Sequence, residues 1–182
     1  QTKNAFHLAR KAGFDNINMD LIVGLPGEDI TKVQHTLDEV KNLGPDSLTV
    51  HSLAVKRAAR LNIFRDKYQE MTFENNQEIM NLTMKTAYEM GMGPYYLYRQ
   101  KNMKGNFENV GYAKVDKAGI YNILIMEEKQ PIIALGAGGS SKLVFDHGQR
   151  IERVENVKDV VNYITRIDEM IERKREGIAK WL

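Results

Sequence analysis

Apolar residues follow first a strand spacing and then a helix spacing near the start of the chain. Residues 17–23 are rich in aliphatic and β-branched side chains, which predicts a strand. A helix is predicted over residues 30–43, and residues 47–53 predict a second strand after a Gly-Pro stop. The buried face of this helix is expected to comprise Val33, Leu37, Val40 and Leu43. This order predicts a βαβ unit with parallel strands.

Helices are also predicted on either side of this unit. Residues 2–12 predict an opening helix, and residues 58–67 and 73–90 predict two more. The opening helix is expected to bury Ala5, Leu8, Ala9 and Ala12, and the last of the three has apolar positions at Ile79, Leu82, Met84 and Ala87. The sequence therefore predicts an α/β fold, part of a repeating β/α barrel or open sheet.

The second half of the chain has weaker patterns. Residues 95–98 predict a strand that enters a polar, non-periodic stretch over 99–117. Two apolar runs, 120–126 and 130–135, predict a hairpin, with a third strand near 142–145. Asn156 is expected to cap a last helix. Its predicted buried positions are Val157, Val160, Val161, Ile164, Ile167 and Ile171.

Composition limits the partners and the chemistry. With 182 residues, 42% hydrophobic, the chain can form one or two compact units. A net charge of +2 gives no field that favours nucleic acid, and no apolar run approaches the roughly 20 residues that span a bilayer. No signal-peptide pattern is visible, so we expect a cytoplasmic protein. Because the first residue is Gln1 rather than Met and a predicted helix follows at once, we expect this chain to be a portion of a longer protein.

The absence of cysteine is the strongest chemical constraint. It excludes disulfides, cysteine nucleophiles, cysteine-ligated zinc and thiolate-bound iron–sulfur clusters within these 182 residues. No metal ligand is therefore assigned to this chain.

Asp20 is an acid inside an otherwise mostly apolar predicted strand, which then breaks at a glycine-rich turn, Gly24-Leu25-Pro26-Gly27. Ligands of parallel α/β folds bind at the carboxyl ends of strands, so Asp20 is a candidate to hold a ligand hydroxyl. Two alternatives remain open: Asp20 could pair with a neighbouring strand's lysine or cap a loop, and the turn could serve only to redirect the chain.

Two other segments allow both structural and functional interpretations. The run from Leu135 to Ser141 has a glycine-rich composition but lacks the lysine of a phosphate-binding loop, which favours close backbone approach over nucleotide triphosphate binding. Tyr95, Tyr96 and Tyr98 could line a ligand pocket, although core packing is favoured for alternate strand residues.

Four segments together resemble the oxygen-independent coproporphyrinogen III oxidase family of radical S-adenosylmethionine enzymes. They read N-M-D-L-I-V-G-L-P-G-E, L-T-V-H-S-L-A, Y-L-Y-R-Q-K-N and A-L-G-A-G-G-S-S. A further segment, V-K-R-A-A-R-L, is most similar to the coproporphyrinogen dehydrogenase branch of the family. The resemblance extends from about residue 2 to the end of the chain.

This resemblance implies a fold and an activity. Residues 1–93 would form the C-terminal portion of a radical S-adenosylmethionine partial TIM-like barrel, and residues 94–182 a small α+β region. Elsewhere in the intact enzyme, a C-x-x-x-C-x-x-C loop would hold a 4Fe-4S cluster that, with S-adenosylmethionine and an electron donor, starts oxidative decarboxylation of coproporphyrinogen III to protoporphyrinogen IX. This step belongs to heme biosynthesis. This chain lacks that loop, so alone it is expected to be inactive.

The resemblance also implies roles for individual residues. Asp20 would accept hydrogen bonds from the ribose of S-adenosylmethionine, and Gly24, Ser52 and Ala54 would complete the cofactor site. Arg99 and Lys101 would bind substrate propionates. The neighbouring cations Lys56, Arg57, Arg60 and Lys104 are better explained as solvated surface. His51 is expected to be hydrogen-bonded scaffold rather than a catalytic base, and no catalytic residue is assigned.

Two further functions remain open at this point. A heme-binding chaperone of the same family would bind heme without decarboxylation. A cysteine-free α/β module without redox chemistry would use Asp20 and the basic loops to hold a nucleotide or carboxylate.

Overall fold

The computed structural model describes residues 1–54, 63, 75–98 and 107–181, and divides the chain into two compact units, Gln1–Gly119 and Ile120–Leu182. The predicted boundary after residue 93 lies inside the first unit. Strands on both sides of the undescribed residues 99–106 hydrogen-bond to each other, which keeps them in one unit.

The first unit contains three described helices and one four-stranded sheet. The elements are α1 (Thr2–Lys11), β1 (Asn18–Val23), α2 (Ile30–Leu43), β2 (Ser47–Ser52), α3 (Gln77–Glu89), β3 (Gly93–Tyr98) and β4 (Asn109–Ala113). The strand order is β1-β2-β4-β3. β1 and β2 are parallel, whereas β4 runs antiparallel to both β2 and β3. The predicted βαβ unit and α/β class are confirmed.

One face of this sheet packs against α2 and α3 to form the core. Its members on β1 and β2 are Leu21, Val23, Leu48 and Val50, which meet Val33, Leu37 and Val40 of α2 and Ile79 and Ala87 of α3. Asp29 caps α2 by accepting a hydrogen bond from the Lys32 amide, and Gly44 ends the helix in the left-handed region at φ 67°. The predicted face of α2 is therefore correct for its three buried residues.

Two details of the helices differ from prediction, and one predicted helix stays a prediction. On α1, Phe6 is buried while Leu8 is 65% exposed, because the face carrying Lys3 and Arg10 contacts Glu39 and Asp46. On α3, Thr83 and Thr86 are buried instead of Met84. Of the predicted helix over 58–67, only Ile63 lies within the described residues.

The second unit contains α4 (Ile120–Met126), β5 (Ser140–Phe145), β6 (Arg150–Glu155), α5 (Val160–Thr165) and α6 (Ile167–Trp181). β5 and β6 form an antiparallel pair, joined through a short 3₁₀ turn. Gly177 allows α6 to approach this pair closely, because a Cβ there would lie 2.7 Å from the Val154 side chain. The indole of Trp181 donates to the Val144 carbonyl at 2.8 Å.

The predicted hairpin over 120–135 is wrong, although the third strand near 142–145 is confirmed. Residues 120–126 form a helix, and the 130–135 run contributes an isolated bridge between Ile132 and Lys142. The turn at Asp146, His147 and Gly148, all with positive φ, instead pairs β5 with the next strand along the chain.

The predicted capping by Asn156 and the predicted buried face of the last helix are also wrong. Asp159 caps α5, and a break at Arg166 separates α5 from α6. Met170 and Gly177 are buried on α6, whereas five of the six predicted positions are exposed: Val160, Val161, Ile164, Ile167 and Ile171. Asn156 instead donates to the Gly136 carbonyl and accepts a hydrogen bond from Lys174.

Candidate nucleoside-binding site

Asp20 projects from the face of the sheet that α2 and α3 do not cover. Side chains alternate along β1, so Leu21 and Val23 enter the core while Asp20 and Ile22 lie on the opposite face. The parallel register places Asp20 beside Thr49 and Ile22 beside His51. Strand geometry alone thus brings an acid and a histidine to one surface.

The Asp20 carboxylate is 64% exposed and has a polar neighbour at each oxygen. The Asn18 side-chain amide donates to Oδ1 at 2.7 Å. Nε2 of His51 lies 3.9 Å from Oδ2. No lysine pairs with Asp20 among the described residues, so the carboxylate remains accessible to a ligand.

His51 lies between Asp20 and Tyr98. Its Nδ1 is 3.5 Å from the Tyr98 hydroxyl, and the two rings meet edge to face with centroids 6.4 Å apart. The contact with Tyr98 fits the predicted scaffold role of His51. The imidazole also lies 3.9 Å from the Asp20 carboxylate, which lines the candidate site.

A pocket of about 340 Å³ opens at these side chains. It is lined by Asp20, Ile22, His51, Ser52, Leu53, Ala54, Tyr98 and Asn109. Three of the four residues predicted to bind the cofactor, Asp20, Ser52 and Ala54, therefore come together. The fourth, Gly24, lies beyond the end of β1 in the left-handed region at φ 82°, where it turns the chain, and its binding role stays a prediction.

The backbone at the end of β2 offers acceptors more readily than donors. The Ser52 amide donates to the Asn109 side chain at 2.9 Å, and the Leu53 amide donates to the Val23 carbonyl at 3.0 Å. The Ser52 hydroxyl lies 3.8 Å from the Met80 sulfur of α3. Ser52 can therefore contribute to the pocket through its backbone carbonyl but not through its amide.

Tyr96 covers the centre of the same face. Its ring lies over Gly111, where an added Cβ would be 2.0 Å from the ring, and its hydroxyl is 3.5 Å from that of Thr49. Burial raises the pKa of Tyr96 above its ordinary value, and the nearby Tyr95, Tyr98 and Asp20 add to the rise. The hydroxyl therefore stays protonated at neutral pH.

Sequence reasoning underestimated Tyr98 and missed Asn109. The favoured core interpretation of Tyr95, Tyr96 and Tyr98 is wrong, since all three are only partly buried. Alternation along β3 gives Tyr96 and Tyr98 the same face. Asn109 could not be found because β4 has a short, glycine-containing sequence inside the stretch that showed no periodic pattern.

The candidate propionate-binding residues Arg99 and Lys101 lie outside the described residues. Lys56, Arg57, Arg60 and Lys104 also lie outside them. Their predicted roles stay predictions.

The glycine-rich segment before β5 has a structural use within the second unit. The Gly136 amide donates to the Tyr163 hydroxyl at 3.1 Å, and the Gly138 amide donates to the Val157 carbonyl at 2.8 Å. The Gly139 amide donates to the Gly136 carbonyl at 3.2 Å. Because these donors are engaged, the loop does not present them to a phosphate.

Two other features are absent from the described parts of the chain. No cluster of three or more histidine, aspartate or glutamate side chains there is arranged to hold a metal ion. Nor does any helix there have the length and apolar character needed to cross a membrane.

Comparison with known proteins reveals extensive similarity to one group. No protein-family model matches the chain. It is 43% identical, over 96% of its length, to the oxygen-independent coproporphyrinogen-III oxidase-like protein HemZ of Bacillus subtilis, and spans 35% of that protein. It is also 36% identical to the heme chaperone HemW of B. subtilis over 52 residues, which are 29% of this chain and 14% of HemW.

A solved structure shares the fold. It is the coproporphyrinogen III oxidase HemN of Escherichia coli, described as a radical SAM enzyme, and it matches with a TM-score of 0.62 at 20% identity. The match covers 92% of this chain and 37% of the solved chain. With the similarity to HemZ along nearly all of its residues, the chain belongs to the oxygen-independent coproporphyrinogen III oxidase-like family.

Proposed function

We propose that this chain provides the nucleoside-binding part of a radical S-adenosylmethionine enzyme that converts coproporphyrinogen III to protoporphyrinogen IX by oxidative decarboxylation without oxygen. The activity belongs to heme biosynthesis and to a cytoplasmic oxidoreductase. The observation that carries the proposal is the pocket where Asp20 meets the end of β2, in a chain 43% identical to HemZ.

The described residues suit the nucleoside portion of S-adenosylmethionine. An ionised carboxylate accepts hydrogen bonds from vicinal hydroxyls, and Asp20 has its oxygens exposed toward the pocket. Backbone carbonyls at Ser52 and Ala54 are acceptors for the exocyclic amine of adenine. Ile22 and Leu53 add apolar surface for the flat base. The chemistry that this cofactor supplies in such enzymes is abstraction of a substrate hydrogen atom.

The same residues do not suit the iron–sulfur cluster. A 4Fe-4S cluster of this class requires cysteine thiolates, and the sequence contains no cysteine. The cluster ligands must therefore come from outside these 182 residues. The role of this chain is to bind and orient the nucleoside and to line the substrate side of the site.

Substrate binding is proposed from sequence. Coproporphyrinogen III has four propionates, and guanidinium and ammonium groups bind carboxylates, so Arg99 and Lys101 are the candidate partners. An external electron donor is the second required partner. Arg99→Ala is expected to raise the substrate concentration needed for turnover while leaving cofactor affinity unchanged.

The test is anaerobic turnover by the protein expressed from its complete reading frame, with its cluster reconstituted and a chemical reductant supplied. We expect carbon dioxide and protoporphyrinogen IX from coproporphyrinogen III, and we expect Asp20→Asn to raise the S-adenosylmethionine requirement. His35→Asn on the exposed part of α2 is the matched control and should leave both parameters unchanged.

The opposite result would identify a different function. Tight heme binding with no decarboxylation by the reconstituted protein would contradict the oxidase proposal and favour a heme chaperone, the function named for the relative HemW. Normal turnover by Asp20→Asn at low S-adenosylmethionine would remove Asp20 from the cofactor site.

A further inference from the structure

Three strands each contribute one polar side chain to a connected line across the uncovered face of the sheet. Asp20 comes from β1, His51 from β2 and Tyr98 from β3. β4 lies between β2 and β3, so the Tyr98 hydroxyl reaches across a whole strand to approach His51. The pairing of the strands brings these three side chains together, although they lie far apart in the sequence.

We propose that His51 is a positioning residue that orients the Asp20 carboxylate for the ligand, and that Tyr98 in turn fixes the imidazole. This inference rests on the proposed function, because it concerns how Asp20 binds ribose hydroxyls. In this proposal the imidazole hydrogen is assigned to Nε2, the ring nitrogen 3.9 Å from Oδ2 of Asp20. With that assignment Nδ1 is the acceptor for the Tyr98 hydroxyl, which lies 3.5 Å away.

The two carboxylate oxygens of Asp20 have polar neighbours in different directions. Asn18 donates to Oδ1 from the same strand, while His51 approaches Oδ2 from the neighbouring strand. A carboxylate with a hydrogen bond at one oxygen and an imidazole beside the other has fewer rotamers to lose when a diol binds. His51 therefore improves affinity by preparing Asp20, without itself contacting the ribose.

The size of the effect follows from the geometry. The 3.9 Å separation and the exposure of Asp20 place this pair among weak, partly solvated interactions. His51→Leu is therefore expected to weaken ligand binding about three- to five-fold. His51→Gln, which places an amide nitrogen near the position of Nε2, should recover most of the loss, and Tyr98→Phe should cost about two-fold.

The experiment measures the dissociation constant of S-adenosylhomocysteine, which shares the nucleoside but is not cleaved to a radical. Calorimetry would use the cluster-reconstituted protein from the complete reading frame. The decisive comparison is Asp20→Asn against the double variant Asp20→Asn/His51→Leu. We expect equal affinities, because His51 acts only through the carboxylate. His35→Leu is the matched control for removing an imidazole.

Contrary results are distinguishable. Full affinity in His51→Leu with weakened Asp20→Asn would overturn the positioning role and leave the proposed function intact. A loss from His51→Leu that persists beside Asp20→Asn would mean direct ligand contact or a structural role, and would also overturn it. Absence of binding by the wild-type protein would overturn the proposed function and this inference together.

The histidine tautomer gives a readout independent of ligand affinity. Nitrogen NMR of histidine-labelled protein should show the Nε2–H tautomer at His51, and Tyr98→Phe should shift the population toward the other tautomer. A hydrogen on Nδ1 in the wild-type protein would contradict the proposed arrangement.

Discussion

The two faces of the four-stranded sheet use the same strands for different purposes. On one face, Leu48 and Val50 are fully buried against the helices. On the other, Asp20, His51 and Tyr98 line an open pocket. Alternation along each strand separates the residues that stabilise the fold from those available for ligand binding, so either set can change with limited effect on the other.

Two aspartates of this unit show the same division. The Asp46 side chain is 11% exposed and bonds Arg10 at 2.6 Å, and it also accepts from the Ile17 amide at 2.8 Å. The Asp20 side chain is 64% exposed, with Asn18 and His51 as neighbours. A buried carboxylate with strong donors stabilises structure, whereas an exposed carboxylate beside a pocket is available to a ligand.

The largest expected change in stability distinguishes the buried face of the sheet from the open face. Leu48→Ala should lower the free energy of unfolding by about 3 kcal/mol, because it leaves a cavity in the core. Ile22→Ala, on the opposite face and 44% exposed, should cost about 1 kcal/mol or less. Urea denaturation followed by circular dichroism measures both, and equal losses would contradict the division.

A smaller difference in stability is expected between the asparagine variants of Asp46 and Asp20. Asp46→Asn is expected to cost about 2 kcal/mol, since it weakens charge-assisted hydrogen bonds to Arg10 and Ile17. Asp20→Asn should change stability by less than about 0.5 kcal/mol, the usual range for surface positions. Destabilisation by Asp20→Asn comparable to that of Asp46→Asn would make Asp20 a structural residue.

Lowering the pH should remove the stabilisation that the Asp46 carboxylate provides. Burial acts to raise the pKa of Asp46, but the Ile17 amide and Arg10 outweigh it, and the pKa lies below the ordinary value of 3.8. The stabilisation is therefore fully present above that ordinary value and is lost as pH falls through the lowered pKa. Stability curves of wild type and Asp46→Asn should converge in this acidic range, and a constant difference down to pH 2 would contradict this assignment.

A stability effect smaller than that of Asp46→Asn is expected at Gly111, where the Tyr96 ring lies on the sheet face that the helices leave open. Gly111→Ala would place a methyl group against the Tyr96 ring and displace it, at a cost of about 1 kcal/mol. Gly93→Ala on neighbouring β3 is the matched control, because no atom lies within 4 Å of its added Cβ. NMR shifts of Tyr96 should change in the first variant alone, and similar shifts in both would contradict close contact at Gly111.

The sequence predicted the βαβ unit well because several signals agreed there. Apolar periodicity defined α2, while Asp29 and Gly44 marked its ends. The second unit lacked such agreement. The apolar run over 120–126 fits a short helix as well as a strand, and β5 pairs with β6 rather than with this run.

The candidate site could be predicted only where local sequence carried the signal. Asp20 was noticeable as an acid in an apolar strand, and the end of β2 followed from the βαβ order. Tyr98 and Asn109 reach the pocket because β3 pairs antiparallel with β4, and β4 in turn pairs antiparallel with β2. This pairing spans about 60 positions of the sequence, and no local pattern encodes it.

The most direct test of the central claim is a crystal structure of the protein, from its complete reading frame, with S-adenosylhomocysteine. The account predicts that a ribose hydroxyl lies about 2.7 Å from an Asp20 carboxylate oxygen, with adenine against the end of β2. A nucleoside bound elsewhere, or a ribose with no contact to Asp20, would contradict it.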